Sequence, residues 1–212
     1  MHGQAAVDAV LRRIGRPGQA QYRAAALAEM QLAQSEYEQG PNPPWFLRRT
    51  SNFVTTSGVN YVEVPNFLRF EDDDAFIHYT AGSELRLMSI VDINVLRRGE
   101  ATSGFPTLVA LWDKLYLWPV PDAAYTLQVT GVYGAPAVAD TTAAVTSGFL
   151  HHAPYVLVAK TAYRMATFVL QDFELADRCA VTVQEAEQRL AKFSAARRAA
   201  GIVLTRGDDL YE

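Results

Sequence analysis

The spacing of apolar residues changes twice along this chain, and this change constrains the fold more strongly than any other feature. Toward the N-terminus, and again after residue 147, apolar residues recur three or four positions apart, which is the spacing of one helical face. Between these regions, short β-branched and aromatic runs are separated by turn residues, which is typical of β-strands. Such a chain is expected to be α+β, with its strands segregated from its helices.

Two helices are predicted before the strands. Residues 4–15 place Val7 and Ile14 on one helical face, and a glycine and a proline follow as a helix stop. Residues 19–39 repeat apolar side chains at spacings of three and four before Gly40. Both segments are therefore expected to bury one face and expose the other.

The middle of the chain is predicted to contain short strands and one helix. Residues 108–112 and 115–118 flank a two-residue turn and are expected to form a hairpin. Residues 125–133 alternate most regularly, so one face of that strand should be buried. Residues 89–98 show helical spacing and predict a short helix. The other predicted strands are residues 53–56, 61–64, 76–79 and 85–88.

Two long helices are predicted next. Residues 150–170 are apolar nearly all round, which indicates a central helix. The following helix begins after Asp172 and carries an apolar stripe that includes Cys179 and Phe193. Residues 201–212 have no core periodicity and are expected to order on a partner.

These elements predict a bundle of about four helices with a β-rich insertion between the second and third long helices. All of it is expected to form one structural domain. Its parts are the N-terminal helices (1–45), the insertion with one short helix (46–147), the C-terminal helix pair (148–200) and an extended tail (201–212).

Length, charge and cysteine content limit the classes of function. With 212 residues, half of them apolar, the chain can bury a core, and its net charge of -4 argues against tight, sequence-independent nucleic-acid binding. Cys179 is the only cysteine and the N-terminal segment is polar, so we expect a reducing, intracellular origin without disulfides or a secretory signal. The most apolar stretch, residues 154–170, is interrupted by Lys160 and Arg164, so no membrane span is expected.

Few residues suggest catalysis. The acidic run Glu71 to Asp74 lacks the glycine and the spaced ligands of a calcium loop, so a solvated loop is favoured. His151 and His152 are adjacent and diverge on a helix, which argues against a shared metal and for a role at the helix entry. His78 lies in an apolar strand with no nucleophile placed near it. We therefore expect no catalytic, metal-binding or cofactor-binding residues and no cofactor.

Two functions that need a site of their own are compatible with the sequence. One is a hydrolase that uses the cluster Glu71–Asp74 with His78. The other is a soluble, monomeric binding module with a ligand cleft where helices meet strands. Replacing Asp72, Asp73 and Asp74 by asparagine would separate these functions, because a hydrolase would lose activity whereas a structural protein would still assemble.

Arginines occur in adjacent pairs at four places, which are residues 12–13, 48–49, 97–98 and 197–198. A guanidinium group pairs with carboxylates in a planar, bidentate way, and arginine is enriched at protein interfaces. Interface contacts and solvated surface pairs are both compatible with this pattern.

One succession of segments resembles a known family. Residues 118–122 (Trp-Pro-Val-Pro-Asp) end a strand with a P-x-P-D turn, and a tyrosine-containing alternating strand follows. Upstream, residues 61–65 form an aromatic segment that ends in Val-Pro and precedes the strands of residues 67–79. Downstream, residues 148–193 supply a closing helix pair. Over roughly residues 4–200 this order resembles the head-to-tail adaptor family (head completion or connector proteins) of tailed bacteriophages.

The resemblance implies a structural virion protein that is not an enzyme. Such a protein is made in the cytoplasm of the bacterial host and assembles at the head-tail junction as a dodecameric ring. The ring joins the portal protein to a tail or nozzle protein and forms part of a channel through which double-stranded DNA passes without specific binding. No cofactor and no membrane are implied.

In that family the C-terminal segment often docks on the portal. The resemblance therefore makes the tail and several arginines the candidate portal or subunit interface. These candidates are Arg48, Arg49, Arg197, Arg198, Leu204, Arg206, Leu210 and Tyr211.

Overall fold

The computed structural model describes residues 1–70, 77–81, 84–99, 102–143, 147–199 and 204–205. The protein is mixed α+β, and its chain divides into two compact units. The helical unit comprises the described parts of residues 1–47 and 134–199, and the β unit comprises those of residues 48–133 with residues 204–205.

The helices are α1 (Gly3–Arg13), α2 (Arg23–Gln39), α3 (Ile93–Arg98), α4 (Gly148–His152), α5 (Pro154–Arg164) and α6 (Phe173–Ala199). Two 3-10 turns (Ala20–Tyr22 and Trp45–Leu47) and one π-helical turn (Met165–Leu170) complete the helical segments. The strands are β1 (Arg48–Val54), β2 (Tyr61–Val62), β3 (Phe67–Arg69), β4 (Ile77–Ala81), β5 (Glu84–Ile90), β6 (Ser103–Gly104), β7 (Leu108–Leu111), β8 (Leu115–Trp118), β9 (Val120–Pro121), β10 (Thr126–Tyr133) and β11 (Leu204–Thr205).

Helix α5 lies at the centre of the helical unit, where it contacts α1, α2 and α6. Its Val156 and Leu157 are fully buried, as are Val7 and Val10 of α1. The start of α1 is capped by the side chain of His2, whose Nδ1 accepts a hydrogen bond of 3.1 Å from the Ala5 amide. The apolar face predicted for the first helix is therefore confirmed.

The single helix predicted over residues 150–170 is instead three segments. Helix α4 ends at His152, and Ala153 separates it from α5. Pro154 occupies the first turn of α5, where its missing N–H leaves no intrahelical hydrogen bond unmade. After Arg164 the backbone continues as a π-helical turn and stops at Gln171, which has a left-handed φ of 53°. The predicted helix is therefore interrupted at Pro154, although its apolar pattern continues across this residue.

Helix α6 buries a stripe of small and medium side chains. The side chain of Asp172 caps its start by accepting a hydrogen bond of 2.9 Å from the Leu175 amide. Cys179, Val183 and Leu190 are buried as predicted, but Phe193 is 50% exposed and lies under the guanidinium of Arg189. The prediction that Phe193 belongs to the core stripe is wrong.

Strand β10 organises the larger sheet of the β unit. It pairs antiparallel with β1 along one edge and with β4 and β3 along the other. The path continues from β4 through β5, β7 and β8 to β2, and β6 pairs with β9 as a separate two-stranded sheet. The alternation predicted for residues 125–133 is confirmed, since Leu127 and Val129 are fully buried. The core that they join also contains Val62, Met88, Val109, Leu115 and Leu117.

Several boundaries differ from the predicted ones. The strand expected at residue 53 begins at Arg48, and the helix expected from residue 89 begins at Ile93, where Asp92 caps it by accepting from the Asn94 amide at 2.8 Å. Strand β8 ends at Trp118 as predicted, and beyond Pro119 the Val120 amide donates to the Thr102 carbonyl at 2.9 Å in the separate β6–β9 sheet. The hairpin β7–β8 is confirmed.

Part of the C-terminal tail forms a strand. Strand β11 pairs parallel with β1, with Leu204 opposite Arg49 and Thr205 opposite Thr50. Within the described ranges, no helix combines the length and the apolar character needed to cross a membrane.

Candidate interaction surfaces

The residues that suggested chemistry do not converge in the described structure. No group of three or more His, Cys, Asp or Glu side chains in the described part of the chain is placed to hold a metal ion. The acidic run Glu71–Asp74 lies outside the described residues. His78 lies in β4, where its backbone pairs with Gln128 and Leu87.

The two adjacent histidines lie in the last turn of α4. Their rings meet edge to face at 4.5 Å, and His152 packs against Phe46 at 5.2 Å and Trp45 at 4.9 Å. His152 is therefore part of an aromatic cluster just before the start of α5, in agreement with a structural role at the helix entry.

Cys179 packs as a small apolar residue. It is buried on α6, and this burial raises the pKa of its thiol, although Arg13 and Arg178 act in the opposite direction. Since the thiolate is the reactive form, the raised pKa lowers the reactivity of this side chain at neutral pH.

The first candidate surface is the outer edge of β1 in the β unit. The guanidinium of Arg49 lies 4.9 Å above the ring of Tyr133, and the Tyr133 hydroxyl donates to the Val129 carbonyl at 3.0 Å. Burial raises the pKa of Tyr133 to about 12. A cavity of about 190 Å³ opens beside these residues and is lined also by Ser51. The edge thus brings together three of the predicted interface residues, Arg48, Arg49 and Leu204.

The second candidate surface lies at the C-terminal end of α6 in the helical unit. The guanidinium of Arg197 lies 5.1 Å above the ring of Trp45, and the Trp45 amide donates to the Ser194 hydroxyl at 3.4 Å. Arg198 is also a residue of α6. The remaining predicted interface residues, Arg206, Leu210 and Tyr211, lie outside the described residues.

A third surface is a groove between the end of α1 and the first half of α6, which we call the arginine groove. It has a volume of about 530 Å³ and is lined by Arg13, Arg16 and Arg178 around an apolar floor that includes Leu175 and Cys179. Asp172, Ile14, Gly15 and Thr182 complete the lining. The sequence pattern singled out the pair Arg12–Arg13 but gave no signal for Arg16 or Arg178, because only the fold brings α1 next to α6.

A fourth surface is the tip of the β7–β8 hairpin. Trp112 is 64% exposed, and the guanidinium of Arg97 lies 5.5 Å from its ring. The ammonium of Lys114 lies 4.0 Å above the ring of Tyr61 and 3.1 Å from the Glu63 carboxylate. An exposed aromatic side chain with a neighbouring arginine is typical of protein interfaces.

Comparison with known proteins gives one family. The family model described as SU10 adaptor protein matches residues 3–211. No curated protein matches the chain.

Proposed function

Because the chain belongs to the SU10 adaptor protein family, whose members are structural adaptor proteins of bacteriophages, we propose that it is the head-to-tail adaptor subunit of a tailed phage. The observation that carries this proposal is the extent of the match, from residue 3 to residue 211, which includes both units. Membership confirms the resemblance that the order of segments indicated. The protein is accordingly a virion component whose partners are portal and tail proteins.

The proposed assembly is a dodecameric ring that joins the portal to a tail or nozzle protein and encloses part of the DNA channel. Double-stranded DNA would pass through the lumen without specific binding. The net charge of -4 supports this, since a strongly basic lumen would hold phosphates through counterion release and oppose sliding. We propose that each subunit of the ring is a bundle of about four helices with the β-rich region as an insertion, and that the two compact units belong to one structural domain.

We propose that the portal or a neighbouring subunit is contacted through the residues that the sequence suggested: Arg48, Arg49, Arg197, Arg198, Leu204, Arg206, Leu210 and Tyr211. The edge of β1 supports this, because β11 of the C-terminal tail pairs there and places Leu204 opposite Arg49, so two of these residues lie on one part of the sheet. Arg197 supports it from the helical unit through its exposed position over Trp45. We propose that the function of the protein is purely structural, with no catalytic activity and no cofactor.

Sedimentation velocity tests the proposal. The purified chain is run alone and then with the portal of its own phage, and we expect a ring-sized species that co-sediments with the portal. Monomer in both runs would overturn the adaptor function.

The same assay tests the interface residues. Arg49→Glu and Arg197→Glu are expected to reduce co-sedimentation, whereas Lys192→Glu, an equal charge change on the exposed face of α6, is the matched control. Equal binding by all three variants would contradict this assignment.

A further inference from the structure

The lining of the arginine groove carries three guanidinium groups and one carboxylate, so it has an excess of positive charge. Neither an ion pair nor a side-chain hydrogen bond of Arg13, Arg16 or Arg178 occurs among the described residues. The carboxylate of Asp172 also lines the groove, but it caps the start of α6. Three guanidinium groups around an apolar floor form a site that fits an acidic and partly apolar partner surface.

The opposite side of α6 carries such a surface, which we call the outer stripe. Phe173, Asp177 and Val181 recur at intervals of four residues and therefore share one helical face. Phe173 is 68% exposed and Val181 is 58% exposed, and Asp177 is exposed between them. Glu174 adds a second exposed carboxylate beside Phe173.

The directions of these two surfaces suit a head-to-tail contact. At about 100° per residue, the outer stripe and the groove side of α6 are centred roughly 150° apart around the helix. In a closed ring of about twelve copies with α6 parallel to the ring axis, the two contact faces of each copy are also about 150° apart. A two-fold dimer would need both surfaces within one continuous patch, and surfaces centred roughly 150° apart around α6 do not form one.

We propose that the arginine groove of one copy receives the outer stripe of the next copy, with Asp177 facing Arg178 and Phe173 and Val181 covering the apolar floor. This inference rests on the proposed ring and adds the surfaces that close it. The contact is heterologous, because two different surfaces of each chain meet, and it repeats around the ring without change.

A charge exchange within α6 tests the contact. Asp177→Arg and Arg178→Glu each place like charges at every subunit boundary, so each is expected to lower the ring fraction on the portal by about tenfold or more. The double variant restores opposite charges at every boundary and is expected to recover rings. Arg12→Glu is the matched control, because Arg12 is exposed at the end of α1 but does not line the groove.

Sedimentation velocity of each variant with portal gives the ring fraction, and far-UV circular dichroism with a thermal midpoint verifies folding. Rings formed equally by wild type and both single variants would overturn the contact and leave the adaptor function intact. Failure of the double variant to recover would also overturn it, since the two residues would then not face each other. Absence of rings in wild type with portal would overturn the adaptor function and the contact together.

Duplex DNA added to the same samples distinguishes a nucleic-acid occupant. We expect Arg178→Glu to disrupt rings without a separate effect on DNA retention. Intact rings that lose retained DNA would assign the groove to phosphate groups and overturn the subunit contact.

Discussion

The helical unit and the β unit differ in the interactions that stabilise each of them internally. In the helical unit, side chains connect segments that are far apart in sequence: Arg23 bonds to Asp8 and, at 2.6 Å, to Asp140, and Arg164 bonds to Glu36 and, at 2.7 Å, to Glu29. In the β unit, the backbone ladder supplies most of the connections, from the seven pairs of β1 with β10 to the hairpin β7–β8.

The difference indicates where each unit is sensitive to mutation. A ladder of backbone hydrogen bonds tolerates many side chains on its exposed face, so the β unit is able to present aromatic residues such as Trp112 at its surface. Helices packed through side chains depend on the shape and charge of those side chains. Substitutions inside the helical unit should therefore have the largest effects on stability.

The largest effect is expected for Leu157→Ala at the centre of α5. Leu157 is fully buried, so the substitution leaves a cavity and should lower the free energy of unfolding by roughly 2–5 kcal/mol. Leu32→Ala is the matched control on α2, where the side chain is 50% exposed. Urea denaturation measures both, and equal losses would contradict the packing described for α5.

A smaller loss is expected for Arg164→Ala. The Arg164 side chain is 15% exposed, as is its partner Glu29, so removing the guanidinium leaves a poorly solvated carboxylate without its partner. We expect a loss of roughly 1–3 kcal/mol in the free energy of unfolding. Arg164→Lys keeps the charge but not the planar guanidinium that reaches two carboxylates. In urea denaturation its free energy of unfolding should lie between those of wild type and Arg164→Ala. An alanine variant as stable as wild type would show that the ion pairs do not hold these helices.

Alkaline titration compares the two units through one tyrosine in each, the buried Tyr133 and the partly buried Tyr37. Burial raises the pKa of Tyr133 in the β unit to about 12, and burial with the nearby Glu187 raises the pKa of Tyr37 in the helical unit. The folded protein then holds these protons more tightly than the unfolded chain, whose tyrosines titrate near pH 10. Stability is therefore complete below pH 10 and falls as the pH rises toward 12, by up to about 1.4 kcal/mol per pH unit for each tyrosine.

Tyr133→Phe and Tyr37→Phe should each reduce this slope when unfolding is measured at pH 9 and pH 11. A slope that neither variant changes would assign the alkaline loss to other groups.

The accuracy of sequence-based prediction also differs between the elements. The first helix, the hairpin β7–β8 and strand β10 were predicted because their signals are local: an apolar period, a two-residue turn and strict alternation. Strands β6, β9 and β11 have two residues each and pair parallel, so nothing in their own sequence marks them. The break at Pro154 was missed because the apolar pattern continues across it, although proline allows only a first-turn position.

The candidate surfaces follow the same rule. Arg48, Arg49 and Arg197 were suggested by residue type and by the family resemblance, and the fold places Arg49 beside Leu204. The arginine groove was not predicted, because Arg16 and Arg178 come from opposite ends of the chain and meet only when α1 packs near α6. Non-local clusters of this kind leave no periodic signal in a single sequence.

The smallest effect on stability is expected for Trp112→Ala at the hairpin tip. The indole is 64% exposed, so its main loss is the contact with Arg97, and the free energy of unfolding should change by no more than about 0.5 kcal/mol. Val109→Ala in the same hairpin is the buried counterpart and should cost more, because Val109 is fully buried against the β core. Denaturation of the two variants separates surface from core within one hairpin. A large loss for Trp112→Ala would mean that this exposed side chain stabilises the β unit itself. The β unit would then depend on its surface side chains, which contradicts the difference drawn between the two units.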